Sequence, residues 1–512
     1  MKKTGNIATV ILMFAFAFTS AIAKPVRHDM ALSDLKKPFS TLTRTSRPPR
    51  DHHIATPGGH FIIHYNNSGL HAVPQDYTLN DSIPDFVFKA AEYLDESYSM
   101  LHDSLGYDHP PIDNIESPEI DVYFNYDLSY YGVTYPETDL GNGEYTSYLT
   151  LSTQLEDSTI FYTHGLEGLR VTCAHELFHI FQLGYKYRSS DLYYFEFSSV
   201  WFEEYMYPEI NDYHSYFSDY VDGWDVVLTS NSGMNPYQSA GFNFYIDKHF
   251  SSPGNNIIQH IWDRILTVNA ITAIRNELES RGSSLEEALN GWGCSQVLCG
   301  PFSAPNFQYS FDDAAELESI NFSRNTDHLL TSATDDIALT KTPITSYYKI
   351  SGIPSNILLF EAMFDNDVSA SLIGLNDDQS KVYPIGSQSI IIDGADYDDY
   401  ILVIGSDASN ASGSYAFTAL YEDQMAALYP NPLSSGEKIT LSYVLLEDNQ
   451  KANLSIYNLS GRSVYSRSLS STYKVAGLHD LSFTPPALSS GLYIVALQFD
   501  DTVIAEKFTY LK

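Results

Sequence analysis

Residues 171–185 read VTCAHELFHIFQLGY. Apolar side chains fall on nearly every side of this segment, so the spacing predicts a helix over 166–183, stopped at Gly184 and buried on most faces. Within it His175 and His179 stand four apart. They lie one turn apart on the same face, so both imidazoles can reach one metal ion. Glu176 projects roughly 100° from His175, within reach of a water on that metal. The pattern suits zinc with one coordination position left open. Zinc lowers the pKa of a bound water to about 7, and the glutamate takes its proton during attack on a carbonyl. Two histidines and a glutamate buried without metal or partners would cost several kcal/mol, which weighs against ordinary core histidines.

Working outward, residues 56–325 mix strands and helices. HFIIHY at 60–65 alternates as a strand does, as do 120–124 and 147–151. Helical spacing runs over 83–105 after Pro84, and again near 195–207, 240–250, 257–268 and 270–280. This is an α+β pattern. From about 335 to 422 helical spacing gives way to short strands between Gly, Asn and Asp clusters, the signature of a small antiparallel sandwich. A second all-β module begins at Leu428-Tyr429-Pro430-Asn431-Pro432. The reading is therefore multidomain: an α+β catalytic domain followed by two all-β sandwich modules. The boundaries are 1–23, 24–55, 56–325, 326–424 and 425–512.

Charge marks the same segments. The chain of 512 residues carries −36, from 28 Lys and Arg against 64 Asp and Glu. Residues 1–23 hold +2, 24–50 hold +5 and 425–512 are neutral, which leaves −43 on 51–424. So acidic a body repels phosphate backbones and anionic lipid, which argues against nucleic-acid binding and membrane docking. Lys2 and Lys3, the apolar run 7–18 and Ala21-Ile22-Ala23 read as a secretory signal cleaved after Ala23. No later run has the ~18 apolar residues of a membrane span, so no stable membrane insertion is expected. Residues 24–50, basic and rich in Ser, Thr and Pro, read as a flexible leader or propeptide. Three cysteines cannot form a disulfide framework. Cys294 and Cys299 are close enough in sequence to close a small loop in an exported protein, a CxxxxC metal site being the alternative. Cys173 points away from the histidine face and reads as an inert core thiol.

The stretches HFIIHYNNSG, IPDFVFKAAEYLDESY, VTCAHELFHIFQLGY and VWFEEYMYPEINDY occur in this order over roughly 56–270. In that order they resemble a family of secreted bacterial zinc metalloproteases similar to gluzincins. The resemblance implies a zincin-like fold and a glutamate as third zinc ligand. Among Asp191, Glu196, Glu203 and Glu204, it points to Glu196, which opens Glu196-Phe-Ser-Ser-Val-Trp201-Phe-Glu203 with the gluzincin spacing. Phe197 and Ser199 depart from the glycine and alanine of that pattern. Glu203, seven residues on, is placed to accept from a ligand histidine. A metzincin is excluded, since Gln182 and Tyr185 stand where glycine and histidine are required. By the same resemblance Tyr237 would hydrogen-bond the tetrahedral oxyanion, against the plainer role of one core tyrosine among 39. The G-A-M-E-N signature of gluzincin aminopeptidases is missing, which favours an endopeptidase.

The last module resembles the sorting domain of type IX secretion cargo, through YPNP at 429–432, LSIYNLSG at 454–461 and SGLYIV at 490–495. That implies the type IX machinery as partner, with passage through the periplasm and outer membrane of a Gram-negative bacterium to the surface or medium. The function expected is a secreted zinc metalloendopeptidase acting on protein or peptide substrates. Its residues are His175, His179 and Glu196 on Zn2+, Glu176 as base and Tyr237 at the oxyanion. The rival is a surface adhesin or glycan-binding protein whose zinc site is structural or inactive.

Overall fold

Period-two alternation around Phe61, Val122 and Leu149 builds a six-stranded mixed sheet. Its strands are β1 (Arg27–Met30), β2 (His52–Ala55), β3 (Phe61–Tyr65), β4 (Ile120–Asn125), β5 (Tyr130–Gly141) and β6 (Glu144–Ser152), in the order β1-β5-β6-β4-β3-β2. β3, β4 and β6 run parallel, and β5 returns antiparallel to β6. The computed structural model describes residues 27–30, 47–113, 115, 117–303, 311–376, 379–386, 389–475 and 477–512. The expected signal sequence lies outside them, as does most of the 24–50 leader.

Helices α1 (Asp85–Ser99) and α2 (Gly165–Tyr185) pack on the sheet, α1 against β3 and α2 against β5 and β6. On its far side α2 meets α3 (Leu192–Met206), so α2 keeps almost no solvent face. Contrary to the sequence reading, Gly184 does not stop α2, which runs through it to Tyr185. A Cβ at 184 would sit 2.6 Å from Pro111 Cδ, so this glycine makes room for the Pro110-Pro111 segment. Among the described residues the further α-helices are α4 (His214–Gly223), α5 (Asn235–Gln238), α6 (Gly241–Phe250), α7 (Ile257–Ile265), α8 (Ala270–Ser280) and α9 (Leu285–Val297).

Two further expectations are corrected. Cys294 and Cys299 are not bonded to each other, and all three cysteines are free and buried. Cys294 sits inside α9, where residues five apart diverge by roughly 140°, and the Cys299 thiol donates to the Ser295 carbonyl at 3.2 Å. The leader, read as flexible, is docked wherever it is described. β1 pairs with β5, β2 pairs with β3, and the Arg47 guanidinium is held by Asp113, Asp121 and Glu137. A basic segment beside a body of −43 has strong electrostatic reason to dock.

The first β region stacks two sheets. Four strands, β8 (Thr334–Leu339), β10 (Ile357–Phe364), β13 (Ile390–Asp393) and β15 (Ala411–Ala419), form one. The other contains β7 (Leu329–Leu330), β9 (Ile344–Ile350), β11 (Val368–Leu375), β12 (Ser380–Pro384) and β14 (Asp399–Ser406). The second face of that five-stranded sheet is covered by α9. Tyr347, Ile373, Leu375, Ile401 and Val403 belong to the same apolar cluster as the helices. The Asn290 amide donates to the Val403 carbonyl at 2.8 Å and accepts from Ser371 Oγ at 2.8 Å. Gly405 permits this approach, since a Cβ there would fall 2.2 Å from the Glu286 carbonyl oxygen.

The second β region again has two sheets, of three strands (β16, Gln424–Tyr429; β18, Ile439–Leu445; β21, Gly477–Phe483) and of five (β17, Leu433–Ser434; β19, Asn453–Asn458; β20, Ser463–Ser468; β22, Gly491–Gln498; β23, Val503–Leu511). Its core is its own, built on Leu441, Tyr443, Leu454, Ile456, Val495 and Phe508. Among the described residues, a small cluster of Ile391, Leu420 and Val444, with Ile357, Leu359 and Leu446 against it, bridges it to its neighbour. No helix among the described residues is long and apolar enough to cross a membrane.

Candidate metal centre

The site lies where α2 and α3 cross. His175 and His179 project from α2 and Glu196 from the first turns of α3, and all three are fully buried. Their ligand atoms lie within 4.8 Å of one another. One Glu196 oxygen stands 3.3 Å from His175 Nε2 and 3.4 Å from His179 Nε2. Both Glu196 oxygens and His179 Nε2 are shut off from solvent and make no hydrogen bond. Convergent buried donors of this kind are costly in a dry core and are relieved by a cation between them. The residue set, two imidazoles and a carboxylate, fits zinc.

The opposite edges of both rings are tied down. Gln182 Nε2 donates to the Phe195 carbonyl at 3.0 Å and to Ser199 Oγ at 3.2 Å. A backbone carbonyl can only accept, so this fixes the amide and turns Gln182 Oε1 toward His179 Nδ1, 2.7 Å away. His179 Nδ1 is thereby the donor, and its Nε2 lone pair faces inward. His175 Nδ1 meets Glu203 Oε1 at 2.5 Å, two turns along α3 from Glu196. Glu176 follows His175 on α2 and lies under β5. Thr134 Oγ1 donates to its Oε2 at 2.7 Å and to its backbone carbonyl at 2.9 Å. β5 comes this close because residue 132 is glycine, where a Cβ would lie 2.7 Å from Glu176 Cγ.

The buried groups of the cluster shift one another's protonation. Burial, reinforced by His179, pushes His175 down to about 4 despite the facing Glu196. Burial also lowers His179, but the Glu196 carboxylate outweighs it and pushes the imidazole up to about 9. Glu196 in turn is held down at about 2 against its burial, with His179 the main cause. Burial, then Asp212, Glu176 and Glu196, pushes Glu203 well above the usual carboxylate range, which favours a proton shared on its short contact with His175.

The structure thus brings together His175, Glu176, His179 and Glu196. Tyr237, on α5, is buried with its ring parallel to that of His175, the centroids 6.2 Å apart. Asp191 is elsewhere, its carboxylate accepting from Ala270 N and Ser190 Oγ. Glu204 is half-buried, with Asp313 and Asp312 among the charges that act on it. Cys173 is buried within α2. Three contributors were missed from sequence: Thr134, Ser199 and Gln182. Gln182 lies three residues past His179, a spacing that puts it on the same helical face.

Comparisons with known proteins bear on one end of the chain. A search of curated proteins gives no match. Among solved structures, a β-glucuronidase of Parabacteroides merdae shares 14% identity over 34% of this chain and 29% of that one, with a TM-score of 0.18. β-Glucuronidase 2 of Bacteroides uniformis shares 14% over 39% and 29%, at 0.17, and the Bifidobacterium dentium enzyme 10% over 32% and 38%, at 0.16. The chain spans between 29% and 38% of the length of these enzymes, and likeness so slight bears on neither fold nor activity. Residues 427–510 match the secretion system C-terminal sorting domain family. The protein is therefore delivered by type IX secretion to the cell surface or the medium, with the secretion machinery as a partner.

Proposed function

We propose that the protein is a secreted zinc-dependent endopeptidase of gluzincin type, with a zincin-like catalytic domain over 56–325. The observation that carries this reading is the buried convergence of His175, His179 and Glu196, with Glu176 beside them. Zinc, when bound, supplies Lewis acidity at a coordination position left open for substrate. Glu203 and Gln182 orient the two imidazoles, so each presents Nε2 inward. Glu176 Oε2, aligned by Thr134 Oγ1, accepts a proton from the attacking water and passes it to the leaving amine. A purely structural site needs no such carboxylate next to its ligands and would fill its fourth position. The parallel ring of Tyr237 supports a role for its phenol as a donor to the developing oxyanion.

The test is metal analysis joined to casein hydrolysis, with and without a chelator. The reading predicts one zinc per chain, hydrolysis lost on chelation and regained on zinc addition. It also predicts that Glu196→Ala loses most of the metal while Asp191→Ala keeps it. Full zinc retention in Glu196→Ala contradicts the ligand set. Zinc-loaded protein that cleaves no peptide favours a binding protein.

A further inference from the structure

We propose that a cleft at the foot of the six-stranded sheet is a second binding site, which takes the guanidinium of an arginine carried by another polypeptide. This goes beyond the peptidase reading and does not rest on it. The cleft has a volume of about 350 Å³ and is lined by the approaches to β3 and β4, by Ser147 of β6 and by the segment 109–113. It adjoins the metal helix, since Gly184 of α2 packs on Pro111 of its wall.

The polar groups of the cleft call for a cation that donates hydrogen bonds. Ser147 keeps step along β6 with Leu149 and Leu151, so it faces the helix side of the sheet, as they do. Ser147 is only 6% exposed, and among the described residues its Oγ has no hydrogen-bond partner. Glu119 Oε2, on the same lining and also shut off from solvent, has none either. A carboxylate oxygen buried without a donor is costly, and a cation that donates to it removes that cost. The aromatic wall suits a planar cation. The His60 ring stacks on Tyr98 at 3.9 Å and 16°, and the Tyr98 hydroxyl is paired with His109. Burial, with His102 and His60 close by, holds His109 below the usual imidazole range, so it sets no charge against a cation near neutral pH.

A guanidinium is planar, stacks on aromatic rings and carries five N–H donors in a fixed fork, so one group can serve the carboxylate and the hydroxyl together. The molecule already uses this chemistry at the same place. Asp113, which lines the cleft, holds the Arg47 guanidinium together with Asp121 and Glu137. An arginine within a polypeptide fits better than the free amino acid, whose α-carboxylate would meet Asp113 and Glu119. Pro110, Pro111 and Ile112 offer apolar surface to the methylene stem, and Ile112 is 58% exposed. The −43 on residues 51–424 draws basic chains toward the molecule.

The test is titration calorimetry on the whole chain from Lys24 onward, with N-acetyl-arginine amide as probe. One-to-one binding is expected, weaker by about tenfold or more for the uncharged citrulline counterpart and for free arginine. Glu119→Gln, which keeps the side-chain volume, is expected to weaken the probe by about tenfold or more, with an unchanged melting temperature. Ser147→Ala, which removes one acceptor, is expected to weaken it by about threefold and reports on the site even if Glu119→Gln melts early. Absence of saturable binding at millimolar probe overturns the site, as does unchanged affinity in both variants. Equal affinity for N-acetyl-lysine amide overturns the guanidinium preference, and equal affinity for free arginine overturns the polypeptide source.

Discussion

The two β regions have similar strand patterns and are attached to the molecule in opposite ways. Both stack two sheets with alternating inward residues, yet the 334–419 region shares its core with the helices, whereas the 424–511 region closes a core of its own. Residues at the first joint make the difference. Asn290 bonds into β14 and β11, Thr345 Oγ1 donates to the Leu289 carbonyl at 3.0 Å, and Arg275 makes a bidentate ion pair with Asp407. Across the second joint, among the described residues, stands the small cluster of Ile391, Leu420 and Val444 with three partly buried neighbours, Ile357, Leu359 and Leu446. Apolar area removed from water is what welds modules together, and the second joint has little to lose. The lesson is that strand periodicity reports a sandwich and not its attachment. It also fits the tasks. The sorting domain is a unit read by the secretion machinery, while the first sandwich forms part of the floor under α9.

The largest effect expected separates the two by truncation. A chain ending at 324 exposes α9 and its apolar neighbours and should give no cooperative melt. A chain ending at 422 should melt within about 3 °C of the whole protein and stay in the periplasm when expressed in its host. Calorimetry and cell fractionation check both. Equal melts for the two truncations would break the comparison. Next in size, Gly405→Val forces a side chain into the α9 backbone and should cost about 3 kcal/mol or more. Asn290→Ala strands the Val403 carbonyl and should cost about 2 kcal/mol. Denaturant titration reads both, and the 458–462 turn of the sorting domain should tolerate Leu459→Ala with little change.

Much of this was legible in the sequence, and the failures are physical. The His175–His179 pair and its glutamate follow from helical periodicity alone, as do α1 and α8. α9 was missed because it is buried on nearly every face and shows no one-sided apolar stripe, although a capping box opens it, with Ser284 Oγ accepting from Glu287 N and the Glu287 carboxylate from Ser284 N. Gly184 read as a stop because its local role resembles a cap, whereas its use is contact with Pro111, a residue 73 positions away. Thr134 could not be assigned to Glu176, since their contact spans 42 residues and depends on a glycine two positions earlier. The leader read as flexible because local composition carries no record of the acidic trio awaiting Arg47.

A smaller effect sharpens the first joint. Glu204 on α3 is pushed up from 4.5 to about 8, by burial first and then by Asp313 and Asp312 in the segment leading to the sandwich. The folded state thus holds a proton that the unfolded state has already released between those values, and stability falls as pH rises through that window. Glu204→Gln should match the wild type near pH 4.5 and exceed it by roughly 2 kcal/mol above pH 8. Equal stabilities at pH 8.5 would contradict that placement.

The central proposal, that Glu176 takes the proton of the water attacking the peptide carbonyl, is tested most directly by Glu176→Gln. The substitution keeps the shape and the Thr134 contact while removing the proton acceptor. General-base help is typically worth 10²–10⁴-fold. Zinc content and thermal stability should stay near those of the wild type while hydrolysis of a peptide substrate falls by at least about 100-fold. Hydrolysis at the wild-type rate by a zinc-replete Glu176→Gln protein would contradict the account.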